Sequence, residues 1–469
     1  MNLGGKKRVQ GTRHCGFVVS DLSSIGAGSS EGWIQHPSLL VAMSAHLLAF
    51  AKGAHSLIVG WEGPSPEDEG SAPPPIHLRL PAGGKSFQEE PILTHFTSIQ
   101  WLTYRDSMFL VLGTSQGCVL FYSTRGSLLH KQVFQGTPVL QLRVRGSHNK
   151  SSQYSFVEEL CVVYAKAIVR IDALDLQPLL HRCLQDAENR ARKGLSDDVA
   201  NDRDSTVQRL AHQVWNVSRN LGGTSTCLDG AIAGVMPPPL LEHQSTQRYY
   251  CALTVGSDCA LAAHRLSEDR SSSITNMIMK RIMPATVSTV TALAKLLWRK
   301  TDNQQALDYR PPEVKPQEFG RASLITSLKD RPRKGERIAL SPSGAMAAIT
   351  DSLGRILLVD TQALVAIRLW KGYRDASCFF LEVPAGRGAN PSSSMPSHQG
   401  TRKQDLVLCL AIHAPRREVV EVWKLRDGPR VSIVKCESGC RVIQPACCFR
   451  GSDYDMDEDY IPAQAYILN

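Results

Sequence analysis

Short runs of apolar and β-branched residues recur along this chain, each broken by Gly, Asp, Asn or Ser, while long helical periodicity is confined to a few places. The pattern predicts strands. Residues 108–112 are followed by the turn Gly113-Thr114-Ser115-Gln116-Gly117, by 118–122, by Thr124-Arg125-Gly126 and by 127–133, a meander of three strands. The same grammar returns at 345–350, 355–360 and 364–370, and again at 406–412, 418–424 and 430–435. Weaker copies, each with a turn between two apolar runs, lie at 39–61, 159–172 and 249–266.

A β-propeller blade is a four-stranded meander of about 40 to 45 residues whose faces pack on neighbouring blades, so six or seven blades need roughly 280 residues. The predicted fold is therefore mainly β: a WD40-like β-propeller of six or seven blades over 37–450, after a lead-in at 1–36 and before an acidic loop and terminal strand at 451–469. Insertions are expected at 62–75, 146–152, 179–208, 271–318 and 384–404, with helices over 179–194 and 274–300. The stretch 384–404 has almost no apolar residues and reads as disordered. A β-sandwich would explain the alternation but not hairpins repeated over four hundred residues with such long insertions. Trp370 and Trp423 each close a run and resemble the aromatic that ends the third strand of WD-type blades, where packing between blades is the plainer role.

Composition adds limits. The chain has 469 residues, 42% hydrophobic and 21% charged, which is ordinary globular usage. Its most apolar stretches, 39–51 and 282–294, fall short of the about 20 residues that span a bilayer, and Asn2 excludes N-myristoylation, so a soluble cytosolic protein is the expectation. A formal charge of +9 permits contact with anionic surfaces without demanding nucleic acid, and no nucleic-acid partner is expected. The 13 Cys are scattered, often inside apolar runs, and read as buried reduced thiols. Only Cys436, Cys440, Cys447 and Cys448 cluster, and their spacing does not complete a tetrahedral set, so no metal and no cofactor is expected.

Three motifs look chemical and fail on context. Gly113-Thr114-Ser115-Gln116-Gly117 fits the G-x-S-x-G nucleophile elbow, yet the residues after it form a strand-like run where the elbow needs a helix, so a hairpin turn is predicted. Gly83-Gly84-Lys85-Ser86 lacks the first glycine of a phosphate loop, since Arg79 stands there. Asp453, Asp455, Asp457 and Asp459 alternate as in a calcium loop, but Glu458 occupies the glycine position. No catalytic residues are assigned, and the chain is not expected to be an enzyme.

Basic segments remain. Residues 271–300 carry Lys280, Arg281, Lys295, Arg299 and Lys300 and no acid, with Val287, Val290, Leu293, Ala294 and Leu297 on one helical face and Trp298 beside the cationic end. Such a helix fits an anionic membrane surface or a partner groove, or packs on the propeller rim. The candidate residues are Leu293, Lys295, Leu297, Trp298, Arg299 and Lys300. Residues 329–337 and Pro415-Arg416-Arg417 are two further basic patches, expected on loops.

The run Ile367-Arg368-Leu369-Trp370-Lys371-Gly372-Tyr373-Arg374-Asp375-Ala376 resembles a segment of the regulatory, non-catalytic subunit family of Rab-3 GTPase-activating complexes. Leu340-Ser341-Pro342 and the run from Ala348 to Asp360 upstream, and Ala414-Pro415-Arg416-Arg417, Glu421-Val422-Trp423 and Gly428-Pro429-Arg430-Val431 downstream, are similar to the same family in the same order. The similarity covers about residues 57–445 and only the N-terminal region of the family. It implies a non-enzymatic regulatory or scaffold role in membrane trafficking, with a separate catalytic subunit and a Rab-family GTPase as partners, in the cytoplasm and peripherally on endomembranes. The candidate partner surface is Lys371, Tyr373, Arg374, Arg416 and Arg417. The alternative is a propeller adaptor in trafficking or autophagy that touches no GTPase.

Overall fold

The structure, a computed structural model, describes residues 38–44, 47–53, 55–60, 76–79, 94–104, 107–148, 156–192, 209–218, 226–237, 248–268, 320–384, 406–425, 428–445 and 463–468. Among the described residues, six four-stranded sheets, each hydrogen-bonded in chain order, and one two-stranded sheet make up a β-propeller. Blade 1 is Leu40–Met43, Leu47–Lys52, His55–Gly60 and Ile76–Arg79; blade 2 is Phe96–Tyr104, Ser107–Thr114, Cys118–Ser123 and Leu128–Val133. Blade 3 is Val139–His148, Phe156–Tyr164, Ala167–Ile171 and Gln213–Asn216; blade 4 is Cys227–Met236, Arg248–Gly256, Leu261–Glu268 and Ala322–Leu328. Blade 5 is Gly335–Leu340, Met346–Asp351, Arg355–Asp360 and Val365–Lys371; blade 6 is Ser377–Pro384, Leu406–Ala414, Val419–Lys424 and Arg430–Lys435. Arg441–Ile443 pairs with Tyr466–Leu468 as blade 7.

From blade 1 to blade 6 the first strand of each blade neighbours the first strand of the next, and the first strand of blade 7 neighbours that of blade 1. The ring closes where Pro445 bridges Met43 in parallel and the Arg441 guanidinium donates to the Leu39 carbonyl. The strand at 466–468, expected outside the propeller, is thus part of its seventh blade.

Both faces of a blade are buried, which explains why its middle strands read as nearly unbroken apolar runs. In Ser107–Thr114, Phe109 and Val111 enter the core shared with blade 3, while Leu110 and Leu112 enter the core shared with blade 1. The remaining described blade contacts repeat the arrangement: Trp215 with Tyr250 between blades 3 and 4, Leu253 with Ile349 between 4 and 5, Leu358 with Phe380 between 5 and 6.

The first helix differs from its expected span. It runs over Ala173–Arg192 with Pro178 inside it, starting six residues before the expected span of 179–194. Ala173, Leu176, Leu179 and Leu180 are buried against blades 2 and 3, so tertiary burial carries the helix through the proline. Strand Val139–His148 also reaches into the insertion expected at 146–152. Gly113 to Gly117 form the hairpin of blade 2: Gly117 has φ +80, and a Cβ there would lie 1.9 Å from the Gln135 carbonyl oxygen. No helix follows, so the nucleophile-elbow geometry is not present. The expected helix at 274–300, the glycines at 83–84 and the aspartates at 453–459 lie outside the described residues, as do Cys447 and Cys448.

Candidate functional site

Blades 5 and 6 bring the candidate partner residues to one end of the propeller. In an antiparallel meander the start of the first strand lies beside the turn between the second and third, as the pairing Gly335↔Asp351 shows in blade 5. The connector 372–376, the turn 352–354 of blade 5 and the 3-10 turn Pro415–Arg417 of blade 6 therefore share one rim. Tyr373 N–H donates to the Gly354 carbonyl at 2.9 Å. Gly354, at φ +82, permits this approach: a Cβ there would stand 2.9 Å from Arg374 N.

Arg417 connects the connector to the turn. Its guanidinium lies 4.6 Å from the Tyr373 ring centroid and donates to the Gly372 carbonyl at 2.8 Å. Arg416 pairs with Asp375 at 2.6 Å, both exposed. Lys371 and Arg374 are exposed at the same rim, and Arg331 and Lys334 extend the cationic surface along blade 5. Arg333 does not join them, because Asp330 and Asp351 hold it at 2.9 and 3.2 Å. The basic patch expected on a loop over 329–337 is a turn only up to Lys334, after which Gly335, Glu336 and Arg337 begin the first strand of blade 5.

Beneath the rim lies Glu421, 3% exposed. It accepts from Tyr373 Oη at 2.5 Å, Trp423 Nε1 at 3.1 Å and Arg430 Nη1 at 3.0 Å. Burial alone would raise its pKa, but these three donors outweigh burial and lower it. Burial and the bond to Glu421 push the Tyr373 hydroxyl up to about 12, so it stays protonated and donates. Trp370 and Trp423 pack edge-on with centroids 6.2 Å apart, and Arg368 lies over both rings at 4.7 and 5.1 Å. Arg368 also donates to the carbonyls of Lys424 at 3.0 Å and Gly428 at 2.9 Å, tying the outer strand of blade 5 to blade 6. Trp423 ends the third strand of its blade as expected; Trp370 is a correction, because it lies in the fourth strand of blade 5, opposite Ile356. Both serve packing between blades.

Sequence reading missed Arg368 and Glu421 as the centre of this network. One signal was available: in Val420-Glu421-Val422-Trp423, strand alternation puts Glu421 and Trp423 on one face, an acid where burial is expected. A second group went unseen, His413 beside Cys436 and Cys440, whose donor atoms lie within 4.8 Å of one another. Burial keeps the His413 pKa low and, together with Cys436, pushes the Cys440 thiol up to about 12. None of the ten described cysteines is in a disulfide. Leu293, Lys295, Leu297, Trp298, Arg299 and Lys300 lie outside the described residues. Among the described residues no helix is long and apolar enough to cross a membrane.

Among solved structures the chain is similar to Sqt1 of Saccharomyces cerevisiae, at 8% identity over 88% of this chain and 78% of that one, TM-score 0.40. The β-propeller domain of Cps50 (Swd1) of Myceliophteria thermophila matches at 8% identity over 87% and 89%, TM-score 0.39. Among curated proteins, a Rab3 GTPase-activating protein regulatory subunit of Caenorhabditis elegans is 20% identical over 366 residues, 74% of this chain. The chain spans 24% of that relative's length. The family described as Rab3 GTPase-activating protein regulatory subunit N-terminus matches residues 33–443, a range that takes in the first six blades and the first strand of the seventh. By that match the chain belongs to the Rab3 GTPase-activating protein regulatory subunit N-terminus family.

Proposed function

We propose that this chain is the propeller part of a non-catalytic regulatory or scaffold subunit that pairs with a separate catalytic subunit and controls a Rab-type GTPase in membrane trafficking. The family match over residues 33–443 carries this reading. The rim of blades 5 and 6 supports it: exposed cations stand on a connector locked from below by Tyr373, Glu421 and Trp423, which suits a preformed surface for an acidic partner. The chain works in the cytoplasm and peripherally on endomembranes, with residues 271–300 making contact with anionic lipid.

The test is a pull-down by the purified chain with a panel of Rab proteins in defined nucleotide states, with and without the candidate catalytic subunit. Capture of the catalytic subunit, or of a Rab in one nucleotide state, supports the reading. Capture of neither overturns it in favour of the adaptor. GTP turnover and nucleotide release by the captured complex then show whether hydrolysis or exchange is controlled.

A further inference from the structure

His413 stands near the end of the second strand of blade 6, and Cys436 and Cys440 bracket the turn that leads from its fourth strand into blade 7. Cys436 N–H donates to the Glu418 carbonyl at 2.9 Å and Cys440 N–H to the Glu437 carbonyl at 3.2 Å, so the backbone fixes both thiols beside the blade 6 hairpin. His413 and Cys440 are each 7% exposed, and Cys436 is half-buried and nearer the rim.

The donor atoms fit one small tetrahedral cation. With bonds of about 2.3 Å to sulfur and about 2.0–2.1 Å to nitrogen, a tetrahedral zinc ion sets its sulfur and nitrogen ligands roughly 3.5 Å apart. Cys440 Sγ is 3.6 Å from His413 Nε2, and Cys436 Sγ lies within 4.8 Å of both. The other ring nitrogen is supported as a ligating histidine requires: Nδ1 faces Ser377 Oγ at 3.5 Å, and an Nδ1–H there leaves the Nε2 lone pair directed at Cys440. Two sulfurs and an imidazole select zinc over magnesium or calcium, which take oxygen.

We propose that His413, Cys436 and Cys440 supply three of the four ligands of a zinc site. Binding releases both thiol protons to solvent; Zn(II) then accepts electron pairs from two thiolates and from neutral Nε2. The ion would clip the second strand of blade 6 to the connector that enters blade 7, where the ring closes. The site stands independently of any Rab partner.

The experiment titrates Co(II) into the whole reduced chain after chelation and follows thiolate-to-cobalt absorption, with Zn(II) as displacer and melting temperature as a second readout. One Co(II) per chain is expected, displaced by zinc, with a higher melting temperature in zinc than in chelator. Cys440→Ser should lose the band, and Cys436→Ala, at the half-buried thiol, should do the same if the first variant fails to fold. Ser377→Ala should weaken binding about 10- to 100-fold, while Cys118→Ser, in blade 2, should bind normally. No band in the parent chain, a full band in both Cys436→Ala and Cys440→Ser, or a Cys436–Cys440 disulfide in protein purified without reductant and resistant to mild reduction would each overturn the site.

Discussion

Tyr373 donates its phenolic hydrogen to Glu421 across 2.5 Å, joining the connector between blades 5 and 6 to the third strand of blade 6. Hydrogen bonds to a charged group contribute about 1.5–3 kcal/mol, so Tyr373→Phe should lower stability in urea denaturation by that order. The pH dependence follows from the lowered Glu421 carboxyl. Its contribution is present above the unfolded carboxylate value of about 4.3 and is lost as pH falls through the depressed folded value. Glu421→Gln should therefore be less stable than the parent at neutral pH, with the gap closing in acid.

Arg170, 2% exposed, is buried between blades 3 and 4 beside Glu159 at 1%. It bonds Glu159 at 2.6 Å and Glu268 at 3.0 Å, and its guanidinium lies 4.9 Å from the Tyr250 ring centroid. Arg170→Ala leaves Glu159 with Arg145 and Glu268 with the Tyr250 hydroxyl, and breaking the buried network should cost up to about 3–5 kcal/mol in urea denaturation. Arg416→Ala, which breaks an exposed pair, should change stability by about 0–1 kcal/mol.

His264 in blade 4 is fully buried with Nε2 3.0 Å from Thr254 Oγ1, and burial lowers its pKa to about 4. An unfolded histidine titrates near about 6.5. The fold therefore disfavours the proton: stability is complete above the unfolded value and falls as pH drops from about 6.5 to about 4, by up to about 3 kcal/mol. His264→Gln should flatten that part of the stability profile.

Gly117→Ala should destabilise strongly, because the new Cβ meets the Gln135 and Thr137 carbonyl oxygens at 1.9 and 2.5 Å and the backbone sits at φ +80. Gly136→Ala meets nothing within 4 Å and serves as the control. Among the described residues Ser115 Oγ accepts the His95 N–H at 3.3 Å, so Ser115→Ala should change stability by about 1 kcal/mol or less. Ester turnover abolished by Ser115→Ala would contradict its place in a plain hairpin.

What could be read from the sequence follows from burial. The middle strands of blades 2, 5 and 6 are buried on both faces and punctuated by turn residues such as Gly117, Gly126 and Gly354, so runs and breaks were visible. First strands were harder: Gly335–Leu340 carries Glu336 and Arg337 among its apolar residues, and its partners are distant in sequence. Blade 7 pairs Arg441–Ile443 with Tyr466–Leu468 across the acidic segment, a closure no local pattern encodes. Lys371, Tyr373, Arg374, Arg416 and Arg417 were found by resemblance and meet on one rim, whereas His413 escaped because its distance in sequence from Cys436 and Cys440 matches no local metal-ligand spacing.

The rim itself can be divided by charge and by structure. Lys371 and Arg374 are exposed, so Lys371→Glu with Arg374→Glu should leave stability within about 0.5 kcal/mol of the parent. Arg417→Ala removes the contact with the Tyr373 ring and the bond to the Gly372 carbonyl, so it should lower the melting temperature. If the rim receives an acidic partner surface, the double reversal should slow association and reduce its salt dependence, because rim charges act mainly through steering. Capture of the catalytic subunit or the Rab at low and high salt, measured beside melting temperature, separates the two effects. Weakened capture at an unchanged melting temperature assigns Lys371 and Arg374 to the interface; unchanged capture at both salts removes this rim from it and leaves Arg417 and Tyr373 as packing between blades 5 and 6.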